Sequence, residues 1–99
     1  MDRLEGGVAF ITGGASGIGF ALADALVREG MHIAIADINE KALREAAFEL
    51  GKSGVRVVPV VLDVQDADAW ERAIDDVESQ LGPIFLLCKN AGVGLGANR

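Results

Sequence analysis

The stretch Thr12-Gly13-Gly14-Ala15-Ser16-Gly17-Ile18-Gly19 limits the possible folds of this chain more than any other. It follows the apolar run Val8-Ala9-Phe10-Ile11 and leads at once into a helix-like pattern. Glycine has no Cβ, so it tolerates φ > 0 and lets the main chain approach a ligand closely. A helix opening near Gly17 would aim unpaired N–H groups, and the positive end of its dipole, at an anion. Strand, glycine turn and helix in this order read as the first unit of a dinucleotide-binding fold.

Downstream, apolar runs alternate with helical periodicity. The pattern predicts strand one over Val8–Ile11 and a first helix over Gly17–Glu29, with Ile18, Ala21, Leu22, Ala25 and Leu26 on its inner face and Gly30 as its stop. Strand two is His32–Ala36, closed by Asp37. Asn39 is the N-cap of a second helix whose inner face is Ala42, Leu43, Ala46, Ala47 and Leu50, ending at Gly51. Strand three is Val55–Leu62, closed by Asp63. Asp66 caps a third helix that turns Trp70, Ala73, Ile74, Val77 and Leu81 inward and stops at Gly82-Pro83. Strand four is Ile84–Cys88, and Lys89–Arg99 reads as loop. Strands two and four are nearly continuous apolar runs, as in parallel strands covered on both faces. A βαβαβαβ chain with right-handed crossovers gives the strand order 3-2-1-4 of a Rossmann-like doubly wound parallel sheet, here a partial α/β one.

Ninety-nine residues make one domain, 1–99. A net charge of −6 argues against nucleic acid and against an anionic membrane surface as partners. It does not argue against a dinucleotide, whose phosphates main-chain N–H groups can hold. No apolar run approaches the roughly 18 residues needed to cross a bilayer. The start, Met1-Asp2-Arg3-Leu4-Glu5, lacks the basic and apolar regions of a signal peptide. The single Cys88 can form no internal disulfide, which fits a reducing, cytoplasmic location.

Four features in order and spacing resemble the N-terminal part of the short-chain dehydrogenase/reductase family. They are Thr12-Gly13-x-x-x-Gly17-x-Gly19, Asp37 closing strand two, Asp63-Val64 closing strand three, and Asn90-Ala91-Gly92 after strand four. The last is similar to the family's N-N-A-G, with Lys89 in place of its first Asn. The resemblance implies NAD(H) binding for hydride transfer between the cofactor and a carbonyl or alcohol. It also implies a later serine and a Tyr-x-x-x-Lys pair. The chain contains no tyrosine, so these 99 residues are expected to bind cofactor without catalysing.

By that resemblance, the N–H groups near Gly13, Ser16, Gly17, Ile18 and Gly19 face the pyrophosphate or the adjoining ribose. Asp37 lies 18 residues after Gly19, near the spacing of about 20 expected of a ribose-binding acid. A carboxylate there accepts from both ribose hydroxyls and repels a 2′-phosphate. No Arg or Lys stands in the turn or just after Asp37, which favours NAD over NADP. The resemblance puts Asp63 at the adenine amino group and Val64 against the ring. Asn90, Ala91 and Gly92 would pass along the adenosine, although Asn90 reads equally well as a tie between strands. No catalytic residue and no metal ligand is assigned.

Three hypotheses stay open: a piece of an NAD-dependent dehydrogenase, a non-catalytic dinucleotide-binding or sensor module, and a methyltransferase-like fold. The last suits the glycine turn poorly, because an adenosyl cofactor has no pyrophosphate to cradle. In the 3-2-1-4 order strand four is an apolar edge, so self-association through it is expected.

Overall fold

Seven elements form where the apolar and amphipathic patterns place them: β1 (Val8–Thr12), α1 (Gly17–Arg28), β2 (His32–Asp37), α2 (Glu40–Gly51), β3 (Val57–Val61), α3 (Ala67–Leu81) and β4 (Leu86–Cys88). They are seen in a computed structural model that describes residues 4–90. All three strand pairings are parallel, and the order is β3-β2-β1-β4, the doubly wound arrangement expected from the pattern.

The strand ends differ from the expectation because pairing, not hydrophobicity, sets them. Thr12 joins β1 because Ala36 of β2 stands opposite it. β3 is shorter than Val55–Leu62. Its register runs from Ile33↔Val57 to Asp37↔Val61, and just before it the Arg56 N–H is taken by Nδ1 of His32 at 3.0 Å. β4 starts later than Ile84, whose N–H donates to the Glu78 carboxylate at 2.9 Å. The contact with β1 opens with the Phe85 N–H on the Val8 carbonyl at 2.8 Å.

The inner face of α1 is a correction. The structure buries Gly19, Ala23, Leu26 and Val27, whereas Ile18 is 78% exposed and Ala21 and Ala25 face solvent. Gly19 is the cause. A Cβ there would stand 2.0 Å from the Gly13 carbonyl oxygen, so this is where the helix touches the turn beneath it. That contact rotates the helix about its axis away from the face that apolar spacing alone selects. Its other end closes as expected. Gly30 takes φ 87°, and the Gly30 and Met31 N–H groups reach the Val27 and Leu26 carbonyls at 2.9 and 3.2 Å, a Schellman stop with Met31 fully buried behind it.

Each face of the sheet has its own core. Ala9, Ile11, Ile33 and Ile35 pack under α1 and α2, with Leu43, Ala46 and Leu50 of α2 buried as expected. Val8, Phe10, Ala34 and Ala36 pack under α3, where Ala73 and Val77 are buried and Trp70 stacks on Phe10 at 5.5 Å between ring centroids. Among the described residues one helix covers this second face, and it leaves β4 partly bare. Leu87, level with Phe10, is 42% exposed, and Phe85 is 63% exposed.

Candidate functional site

In a parallel sheet the carboxyl ends of all strands share one edge, and the residues just past them form the usual ligand crevice. Here that edge carries the glycine turn after β1, Asp37 ending β2, Leu62 to Gln65 after β3, and Asn90 after β4.

Two glycines of the turn use backbone space that other residues rarely enter: Gly13 has φ 65° and Gly17 φ 59°. Ser16, in extended conformation, is the N-cap of α1, yet its side chain makes no cap hydrogen bond, and no acidic residue stands in the first turn. Ser16, Gly17 and Ile18 are all exposed. Apart from its chain neighbours and the backbone of its own helix, nothing lies within 4 Å of where a Gly17 Cβ would stand. The first-turn N–H groups, which have no intrahelical partner, therefore open onto accessible space.

The turn is tied to the strands on both sides. Toward β4, the Asn90 N–H donates to Thr12 Oγ1 at 2.8 Å, and its Nδ2 lies 3.5 Å from the Gly13 carbonyl. Asn90 thus makes the inter-strand tie that its position allowed. Toward β2, the Gly14 N–H donates to the Ala36 carbonyl at 3.1 Å and the Ala15 N–H to Asp37 Oδ2 at 3.3 Å. Asp37 Oδ1 accepts from the Asn39 N–H at 3.1 Å.

Asp37 and Asp63 line one open cleft of about 270 Å³ together with Gly13, Ile38, Leu62, Val64 and Gln65. Asp63 Oδ1 accepts from the Gln65 N–H at 2.9 Å, which holds the turn leading to Asp66. The lining carries two carboxylates and no basic side chain. The structure therefore brings Gly13, Asp37, Asp63 and Val64 into one cleft and stations Ser16, Gly17 and Ile18 at the start of α1, over the buried Gly19. Ala91 and Gly92 lie outside the described residues.

Two side chains take up other duties. Lys89, which replaces the first Asn of the family's N-N-A-G, holds Nζ 5.3 Å from the centroid of the Trp70 ring. Cys88 is half-buried against the first core, and burial pushes its thiol pKa up. Sequence reasoning missed Thr12, Gly14 and Ile38. Thr12 and Gly14 sit inside the glycine stretch, and a β-branched hydroxyl at a strand end was the available signal for Thr12. Ile38 is 68% exposed beside Asp37, and an apolar residue leading into a turn was its signal.

Comparison with known proteins gives consistent findings. A family model described as short chain dehydrogenase matches residues 7–99. The C alpha-dehydrogenase of Sphingobium sp. is 42% identical over 94 residues, 94% of this chain and 31% of that protein. L-sorbose reductase from Gluconobacter frateurii, solved with NADPH and L-sorbose, superposes with TM-score 0.89 at 39% identity over 99% of this chain and 38% of its own. Carveol dehydrogenase from Mycobacterium avium, solved with NAD, superposes with TM-score 0.88 at 33% identity over 98% of this chain and 39% of its own. The chain spans about a third of the length of the curated relatives it matches.

Proposed function

The chain belongs to the short-chain dehydrogenase family, and from that premise we propose that it is the NAD(H)-binding part of an oxidoreductase acting on a carbonyl or alcohol. The observation that carries this reading is an uncapped, exposed helix N-terminus set beside a cleft with two carboxylates. The residues fit the cofactor. Main-chain N–H groups at Ser16, Gly17 and Ile18 suit a pyrophosphate, and the open space at Gly17 admits it. Asp37 suits the adenosine ribose, Asp63 the adenine amino group, and Val64 the ring, with Asn90, Ala91 and Gly92 alongside the adenosine. When bound, the cofactor supplies the hydride acceptor or donor; the chain's own part is to bind and orient.

Selectivity follows from charge. A 2′-phosphate would enter a cleft with two carboxylates and no cation among its lining residues. Relatives of this fold have been solved with NADPH and with NAD, so the lining side chains must make the choice. Calorimetric titration is expected to show tighter binding of NADH than NADPH, and the reverse order would overturn this preference. Asp37→Ala is expected to weaken NADH by about 1–3 kcal/mol.

We read residues 1–99 as one cofactor-binding domain of a cytoplasmic protein, incomplete relative to the family. Among the described residues no helix is long and apolar enough to cross a membrane. Exposed Leu87 on β4 and Phe85 just before it favour self-association through this edge. Sedimentation of the 99-residue chain at micromolar concentration is expected to show dimers or larger species, and a monodisperse monomer would remove this part of the proposal.

A further inference from the structure

The family motif leaves the position after its first glycine open, yet Gly14 has no room for a side chain. A Cβ there would stand 2.8 Å from both Cβ and Cγ2 of Ile35 and 3.3 Å from the Ile11 carbonyl oxygen. The need is for space and not for conformation, since Gly14 is not among the glycines of positive φ. The turn is pressed onto the last three residues of β2 at three successive points. Gly14 packs on Ile35, its N–H donates to Ala36, and the Ala15 N–H donates to Asp37. The second Asp37 oxygen holds the Asn39 N–H, at the N-cap of α2. A single carboxylate thus ties the glycine turn to the start of the next helix.

We propose that Gly14 and Asp37 are positioning residues for the phosphate cradle: Gly14 lets the turn dock on β2 and Asp37 latches it there. This rests on the cofactor reading above and deepens it. The acid suited to the ribose also sets where the Ser16, Gly17 and Ile18 donors stand. Gly14 acts on those donors through the packing of the turn on β2. Displacing the turn as far as a Cβ only 2.8 Å from Ile35 demands would misaim them.

The test reads the turn without cofactor and then with it. Hydrogen exchange at the Ala15 amide, followed by NMR in the cofactor-free protein, reports the latch directly. Asp37→Ala and Gly14→Ala are each expected to speed that exchange by at least about tenfold. Gly14→Ala is also expected to weaken NADH by about tenfold, about 1.4 kcal/mol. Adding Ile35→Ala, which removes Cγ2, should return part of both losses relative to Ile35→Ala alone. Adding Ile35→Val, which keeps Cβ and Cγ2, should return neither.

Unchanged Ala15 exchange in Asp37→Ala and Gly14→Ala overturns the proposal, even where NADH still binds. Equal rescue by Ile35→Val and Ile35→Ala overturns the role given to the Ile35 contact. If the starting protein fails to bind NADH, the cofactor reading falls, and the exchange series still decides whether the turn is latched. Should Gly14→Ala fail to fold, Asp37→Ala carries the exchange test alone.

Discussion

Three helices begin at the same edge of this sheet, and one begins differently from the other two. The starts of α2 and α3 are closed by the chain itself. Asn39 accepts from the Ala42 N–H and Asp66 from the Ala69 N–H, each at 3.0 Å, with Glu40 and Asp68 adding negative charge in the first turns. The start of α1 has neither device: Ser16 makes no cap bond and no acid follows. A side-chain cap contributes about 1 kcal/mol and an acid in the first turn about 0.3–1 kcal/mol. The protein forgoes both at α1 and takes both at its neighbours. An identical secondary structure thus serves two ends, a packed support at α2 and α3 and a set of free donors at α1.

The strongest way to break that contrast is to remove the contact that seats α1. Gly19→Ala puts a methyl 2.0 Å from the Gly13 oxygen and 2.8 Å from Asn90 Nδ2. The expected cost is about 3 kcal/mol of stability or more, measured by denaturant unfolding. NADH titration should show affinity falling by at least about tenfold, because the donors move with the helix.

A finer change exchanges the two kinds of helix start. Ser16→Asp gives α1 the charge that its neighbours carry. Stability should rise by up to about 1 kcal/mol while NADH binding weakens, opposite signs from one substitution. Asp66→Ala, at the start of α3, should act on stability alone. It is expected to cost about 1 kcal/mol in thermal or denaturant unfolding and to leave NADH affinity where it was. If Ser16→Asp changed stability and affinity in the same direction, α1 would be an ordinary helix start and the contrast would disappear.

The two ends of the sheet order give a smaller lesson about how much a sequence shows. Among the described residues both β3 and β4 are edges. β3 carries Pro59, which cannot donate to a further strand, and β4 carries no such block along Leu86–Cys88. The apolar run at Ile84–Cys88 announced that surface, and exposed Phe85 and Leu87 bear it out. The ends of both strands were not legible, since they depend on where a partner strand stops and on the side chains of His32 and Glu78 taking nearby N–H groups.

Local chemistry sufficed for the element order, the caps at Asn39 and Asp66, the Gly30 stop and the parallel order 3-2-1-4. Each of those follows from residues close in sequence or from crossover handedness. The same holds for the glycine turn and for the acids that end β2 and follow β3. Only the tertiary structure decided which face α1 buries, because that rests on Gly19 meeting the Gly13 carbonyl and not on apolar spacing. It alone joined Ala15 to Asp37, 22 residues apart, and Thr12 to Asn90, 78 apart. It also revealed that Gly14 is required by the bulk of Ile35. Periodicity records how a segment packs on average. Contacts between distant backbone atoms depend on ångström-scale approach, which no local pattern contains.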